Sequence, residues 1–86
     1  MAKVQHVSSN ADLPLSGPYV LVELGDTNGL FRHSRGITVT IDRSMDSNLL
    51  EAHTETAIGE AQAMADQENI DIVFVTAPKR GKGFST

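Results

Sequence analysis

The stretch that decides the fold is LEAHTETAIGEAQAMA, residues 50–65. Its apolar and small residues recur at intervals of three and four positions, which places them along one side of an α-helix. They are Leu50, Thr54, Ala57, Ile58, Ala61, Met64 and Ala65. Because several of them are alanines, the helix backbone can approach another surface closely. The stretch predicts a thin amphipathic helix from about residue 49 to residue 67 or 68.

Strand-like segments flank this helix on both sides. Residues 19–24 and 37–41 precede it and residues 70–75 follow it, all rich in Val, Ile or Leu. The turn sequence DTNG at residues 26–29 makes the first two strands antiparallel, and a helical crossover returns the third strand beside the first. We therefore expect a small α+β domain with a mainly antiparallel three-stranded sheet in the order β-β-α-β and the helix on one face. A fourth strand is added if residues 3–7 form an edge.

The chain length fits one domain with two extensions. Residues 1–17 are expected to form an irregular N-terminal arm, because Pro14 and Pro18 interrupt regular structure there. Residues 18–78 form the domain, and residues 79–86 form a flexible basic tail. Residues 25–36 leave two alternatives open, a long loop or an extension of the second strand with a bulge at Gly36.

Composition narrows the function classes. The absence of cysteine excludes disulfides and thiolate metal sites, and the three histidines lack metal-ligand spacing, so neither a metal nor another cofactor is expected. No run of about 18 apolar residues and no signal sequence is present, which predicts a cytoplasmic protein without a membrane span. Residues 1–78 carry four basic and eleven acidic side chains, a net charge of −7, which argues against a dedicated nucleic-acid binder.

One helix covers one face of the predicted sheet, and the opposite face keeps a surplus of apolar side chains. Alternation assigns Phe74 to the helix face and leaves Tyr19, Leu21, Val73 and Val75 on the other. A patch of this kind usually marks an interface, so we expect a second subunit or the N-terminal arm to cover it. Leu30 and Phe31 are further interface candidates if they lie at a loop tip. The alternative is that both continue the second strand and pack inward.

The most chemically suggestive cluster is Arg32, His33, Ser34 and Arg35. Two guanidinium groups, a hydroxyl and backbone N–H groups freed by Gly36 predict a binding site for an anion such as phosphate or a carboxylate. The alternative is that both arginines are exposed charges paired with the acidic body. No nucleophile motif accompanies the cluster, so no catalytic residue is assigned.

Three functional hypotheses follow from these patterns. The leading one is a small homo-oligomeric binding or adaptor module with no catalysis of its own, based on the surplus apolar face. The alternative is a small enzyme or a sensor of an anionic metabolite, with its site at a subunit interface. The third is weak nucleic-acid contact through Lys79, Arg80 and Lys82.

Overall fold

The computed structural model describes residues 1–77, in which one α-helix packs on a mixed five-stranded β-sheet. The strands are β1 (Lys3–His6), β2 (Tyr19–Gly25), β3 (Gly29–His33), β4 (Gly36–Asp42) and β5 (Ile72–Val75), and the helix is α1 (Ser47–Gln67). A short 3-10 helix, Asn10–Asp12, lies in the connection between β1 and β2. The lateral order of the strands is β1-β5-β2-β4-β3. The predicted α+β class is confirmed.

The predicted number and direction of the strands are wrong. Three of the four pairings, β1 with β5, β5 with β2 and β2 with β4, are parallel, and β3 with β4 is the antiparallel one. The reason is that a separate strand, β3, follows β2 and precedes β4 along the chain, so the chain reverses twice and β4 runs in the same direction as β2. Neither alternative for residues 25–36 is right. β2 does lie between β4 and β5, as the helical crossover predicts.

The helix begins earlier than the sequence indicates. Asp46 is the N-cap, and its side chain accepts a hydrogen bond from the Leu49 N–H at 3.0 Å. Asn48, which also has a side chain suited to an N-cap, lies inside the first turn. At the other end Asn69 has a φ of 60°, the left-handed conformation that ends many helices.

The helix packs its small residues against one face of the sheet. Thr54, Ala57, Ala61 and Ala65 are its buried positions, as the spacing predicts. The buried strand residues beneath them are Val20, Val22, Ile37, Ile41, Val73 and Val75. Since alanine side chains are short, α1 lies close to the sheet and covers β1, β2, β4 and β5.

The face of the sheet away from α1, called here the far face, is covered by the chain itself. Tyr19, Leu21 and Phe74 form a second buried cluster there, and Val7 and Leu13 from the β1–β2 connection (residues 7–18) pack against it. The rings of Tyr19 and Phe74 meet edge to face, with centroids 5.5 Å apart. The sequence predicts that either a second subunit or the N-terminal arm covers this face. Within the chain, the N-terminal arm covers it.

The face assignment of β5 is wrong. Val73 and Val75 lie under α1 and are fully buried, whereas Phe74 lies on the far face. The register explains the difference, because Val20 pairs with Val73 and Leu21 pairs with Phe74. Paired residues share a face, so β5 follows the alternation of β2. The two valines are therefore core residues and not part of an exposed surface.

Candidate functional site

The outer edge of β3 is the first feature of the candidate site. Ser34 and Arg35 form a two-residue turn that joins β3 to β4, so His33 and Gly36 close the hairpin as a hydrogen-bonded pair. The Arg35 carbonyl accepts a bond from the Tyr19 N–H at 2.9 Å, which shows that the backbone groups of Arg35 and of the odd-numbered residues of β4 point towards β2. The even-numbered residues of β4 therefore bond to β3. Gly29, Phe31 and His33 therefore bond to β4, and the backbone groups of Leu30 and Arg32 point outward.

Two large apolar side chains lie on this edge. Leu30 pairs with Val39 and lies on the helix face, whereas Phe31 pairs with Thr38 and lies on the far face. They are 48% and 57% exposed, respectively. The Phe31 ring lies over Gly29, where an added Cβ would come within 3.1 Å of it.

Edge strands usually carry features that prevent pairing with another chain, such as lysine, proline or a bulge. β1, at the opposite edge of the sheet, has Lys3 and only four residues. β3 has no lysine or proline, and its pairing with β4 is continuous over all five residues. Its edge is therefore geometrically open to a further strand.

A groove of about 530 Å³ runs between α1 and the β3–β4 hairpin. The sheet lines it with the apolar side chains of Leu30, Val39 and Ile41. The helix lines it with residues spaced three or four apart, and these are His53, Thr56, Ala57, Glu60 and Met64. The groove exists because α1 covers β4 but not β3.

One end of the groove is formed by hydrogen-bonded polar residues at the point where β3 begins and β4 ends. The Asn28 side chain accepts a hydrogen bond from the Asp42 N–H at 2.9 Å. Asp42 in turn accepts bonds from the Ser44 N–H at 2.9 Å and the Ser44 hydroxyl at 2.7 Å. These two bonds hold the pKa of the Asp42 carboxyl below its ordinary value.

The residues of the predicted anion site are separated by the alternation of β3. Arg32 lies on the helix face, where its Nη2 is 3.1 Å from Oε2 of Glu68 at the end of α1. Arg35 lies in the turn, and its Nη1 donates to the Leu15 and Pro14 carbonyls at 3.3 and 3.5 Å. The two guanidinium groups therefore hold different parts of the chain and do not converge on one ligand.

His33 and Ser34 stay beside Arg35, on the border of a shallower groove of about 440 Å³ under the β1–β2 connection. The Nδ1 of His33 accepts a bond from the Arg35 N–H at 3.2 Å, so Nε2 carries the hydrogen and donates to Thr38 Oγ1 at 3.1 Å. Both ring nitrogens of this histidine are used within the hairpin.

Tyr19 and Leu21, two further predicted interface residues, are 4% and 5% exposed beneath the β1–β2 connection. Leu30 and Phe31 do continue into a strand, but they stay half exposed, because that strand is an edge. The groove residues His53 and Glu60 were not predicted as a site. The signal that could have identified them is their spacing with Met64, since positions 53, 60 and 64 lie on one side of α1.

The part of the chain that the structure describes contains no group of three or more His, Asp or Glu side chains placed to hold a metal ion. Over the same residues, no helix is both long enough and apolar enough to cross a membrane. The predicted basic tail, with Lys79, Arg80 and Lys82, lies outside residues 1–77. Comparison with protein-family models, curated proteins and solved structures finds no match to this chain.

Proposed function

We propose that this protein is a small homo-oligomeric binding module with no catalysis of its own, and that its copies associate through the edge of β3. The observation that carries the proposal is the pair Leu30 and Phe31, half exposed on an edge strand that has no lysine, proline or bulge. Association would pair the outward backbone groups of β3 and remove both side chains from water.

The location of the remaining apolar surface supports association through the edge of β3 and not through a face of the sheet. The helix covers one face, and the β1–β2 connection covers the far face around Tyr19, Leu21 and Phe74. Among residues 1–77, the other exposed large apolar residues are Met1 and Leu15, which precede β2, and Leu49 in the first turn of α1. Leu30 and Phe31 are the two that are adjacent in sequence and belong to a strand.

An edge pairing of five-residue strands is small compared with the 1,200–2,000 Å² or so buried in a standard protein interface. We therefore expect reversible, concentration-dependent association. A ligand site between subunits is the second candidate function, since the groove beside α1 adjoins the same edge. The separated arginines do not favour an anion there.

Light scattering and sedimentation velocity across a hundredfold dilution test the proposal. The mass should rise from the 9.2 kDa of one chain towards twice that value as concentration increases. The double variant Leu30→Asp/Phe31→Asp should remain at the monomer mass. A matched control, Leu15→Asp/Leu49→Asp, adds the same charge to exposed leucines elsewhere and should associate like the wild type. A wild-type chain that stays at 9.2 kDa throughout would contradict the proposal.

A further inference from the structure

We infer that two copies pair their β3 strands antiparallel about a twofold axis at Phe31, an inference that rests on the proposed self-association. The result is a continuous ten-stranded sheet with both helices on the same face.

The hydrogen bonds available on the edge select the register. In β3 only Leu30 and Arg32 direct both their N–H and C=O groups outward. If Phe31 lies opposite the second copy's Phe31, Leu30 of each chain lies opposite Arg32 of the other. Each such pair exchanges two bonds, so this register forms four bonds from strand residues alone.

The two neighbouring symmetric registers are worse. Centring the axis on Leu30 places Arg32 opposite Asn28, which lies outside β3 and whose side chain already binds the Asp42 N–H. Centring the axis on Arg32 sets two guanidinium groups directly opposite each other, and like charges in that position are destabilising. It also places Leu30 opposite Ser34, a turn residue.

The side chains agree with the axis at Phe31. The central pair is not hydrogen-bonded, and in such pairs the Cα atoms are only about 4.5 Å apart, so the two phenyl rings contact each other on the far face. On the helix face, Leu30 packs against the methylene groups of the second copy's Arg32. The ion pair with Glu68 draws the Arg32 guanidinium towards α1 and away from the axis.

Pairing in this register also completes the groove beside α1. In one chain the groove has a wall formed by the helix and is open beyond Leu30. The second copy supplies the opposite wall, because its helix lies on the same face of the joined sheet. The shared cleft spans four strands, β4 and β3 of each copy, or roughly 15–20 Å at the usual strand spacing. The binding surface is thus incomplete in a monomer.

Cysteine cross-linking tests the register, and the chain has no native cysteine to interfere. Phe31→Cys should form a disulfide with its own copy, because a Cα separation of about 4.5 Å suits that bond. Leu30→Cys and Arg32→Cys should each link poorly to themselves, since identical residues two positions off register lie about 7–8 Å apart. Mixing these two variants should give a heterodimer that keeps Phe31 intact. Leu49→Cys, on exposed helix, is the control.

The rates in a glutathione redox buffer separate the outcomes. At micromolar protein, thiols held in register react at an effective concentration of about a millimolar, so the mixed pair, which keeps Phe31 in both chains, should link at least ~10-fold faster than Leu49→Cys. Phe31→Cys lacks the phenyl rings that favour association, so its self-linking is compared with that of Leu30→Cys and Arg32→Cys alone. If Leu30→Cys or Arg32→Cys links to itself faster than the two variants link to each other, the register is overturned. If the wild type is dimeric but the mixed Leu30→Cys and Arg32→Cys pair links no faster than Leu49→Cys, the edge pairing itself is overturned. A monomeric wild type would instead contradict the proposed function.

Discussion

Phe74 and Phe31 lie on the same face of the sheet, but replacing each by alanine should affect different properties. The Phe74 substitution should lower folding stability, and the Phe31 substitution should weaken association. Phe74 is 6% exposed between Tyr19 and Leu21, whereas Phe31 is 57% exposed on the edge. Phe74→Ala should lower the free energy of unfolding by about 3–5 kcal/mol, the usual cost of removing a buried phenyl ring. At about 0.05–0.15 kcal/mol per residue, a domain of this size has a total stability of roughly 4–13 kcal/mol. The loss is therefore a large fraction of the total.

Phe31→Ala should leave the monomer's unfolding free energy within about 0.5 kcal/mol of wild type, because the ring contributes little burial there. Its effect should be on association. Phe31 exposes 57% of a surface of about 200 Å², which is about 110 Å² in each copy. If association buries half of this area in each of the two copies, a total of about 110 Å² is removed from water. At about 25 cal/mol per Å² this is about 3 kcal/mol, or about 100-fold in the dissociation constant.

Urea unfolding at a protein concentration below the dissociation constant measures the first effect, and sedimentation equilibrium measures the second. Leu49→Ala, with a similar exposed fraction, is the control and should change neither quantity. The reasoning is refuted if Phe31→Ala unfolds as easily as Phe74→Ala, or if it associates as tightly as wild type while the wild type is dimeric.

Three other substitutions have outcomes set by local geometry. Gly36→Ala should destabilise by about 2 kcal/mol or more in urea unfolding, since its φ is +141° and an added Cβ would overlap the Tyr19 carbonyl; no change would contradict this. Gly59→Ala should stabilise by about 0.5–1 kcal/mol, because nothing lies within 4 Å of its added Cβ; a loss would show hidden crowding. Asp42 has a lowered pKa, so its contribution is present above about pH 4 and is lost as pH falls through its folded pKa. The advantage of wild type over Asp42→Asn in urea should therefore shrink between pH 6 and pH 3, and a constant difference would contradict the assignment.

The sequence was informative where one physical pattern dominated. Strict alternation over residues 37–41 located β4, and the spacing of small residues located α1 and its buried side. The same pattern failed at β3, because an edge strand buries neither face fully and Leu30 and Phe31 point to opposite sides. Missing that strand removed one chain reversal and turned a parallel pairing into a predicted antiparallel one.

The site was partly predictable for the same reason. Leu30 and Phe31 were identifiable as an adjacent apolar pair, although their half exposure depends on which strands lie beside β3. Arg32 and His33 were grouped by sequence proximity, but neighbouring residues of a strand point to opposite faces. The four consecutive apolar residues of β5 fit either face equally well, and only the pairing of β5 with β2 decides which of them lie under α1.

The pairing of β1 with β5 has a consequence for the chain as it is synthesised. β1 is hydrogen-bonded to β5, which follows it by more than sixty residues and becomes available only after α1 has been made. Ribosomes add about 5–20 residues per second, so Val75 is added roughly 4–14 s after His6. The hairpin of β3 and β4 can form during that interval, but β1 has no partner. Synthesis and sheet assembly therefore run in opposite orders at this edge, and β1, which is made before the other four strands of the sheet, is among the last to be incorporated.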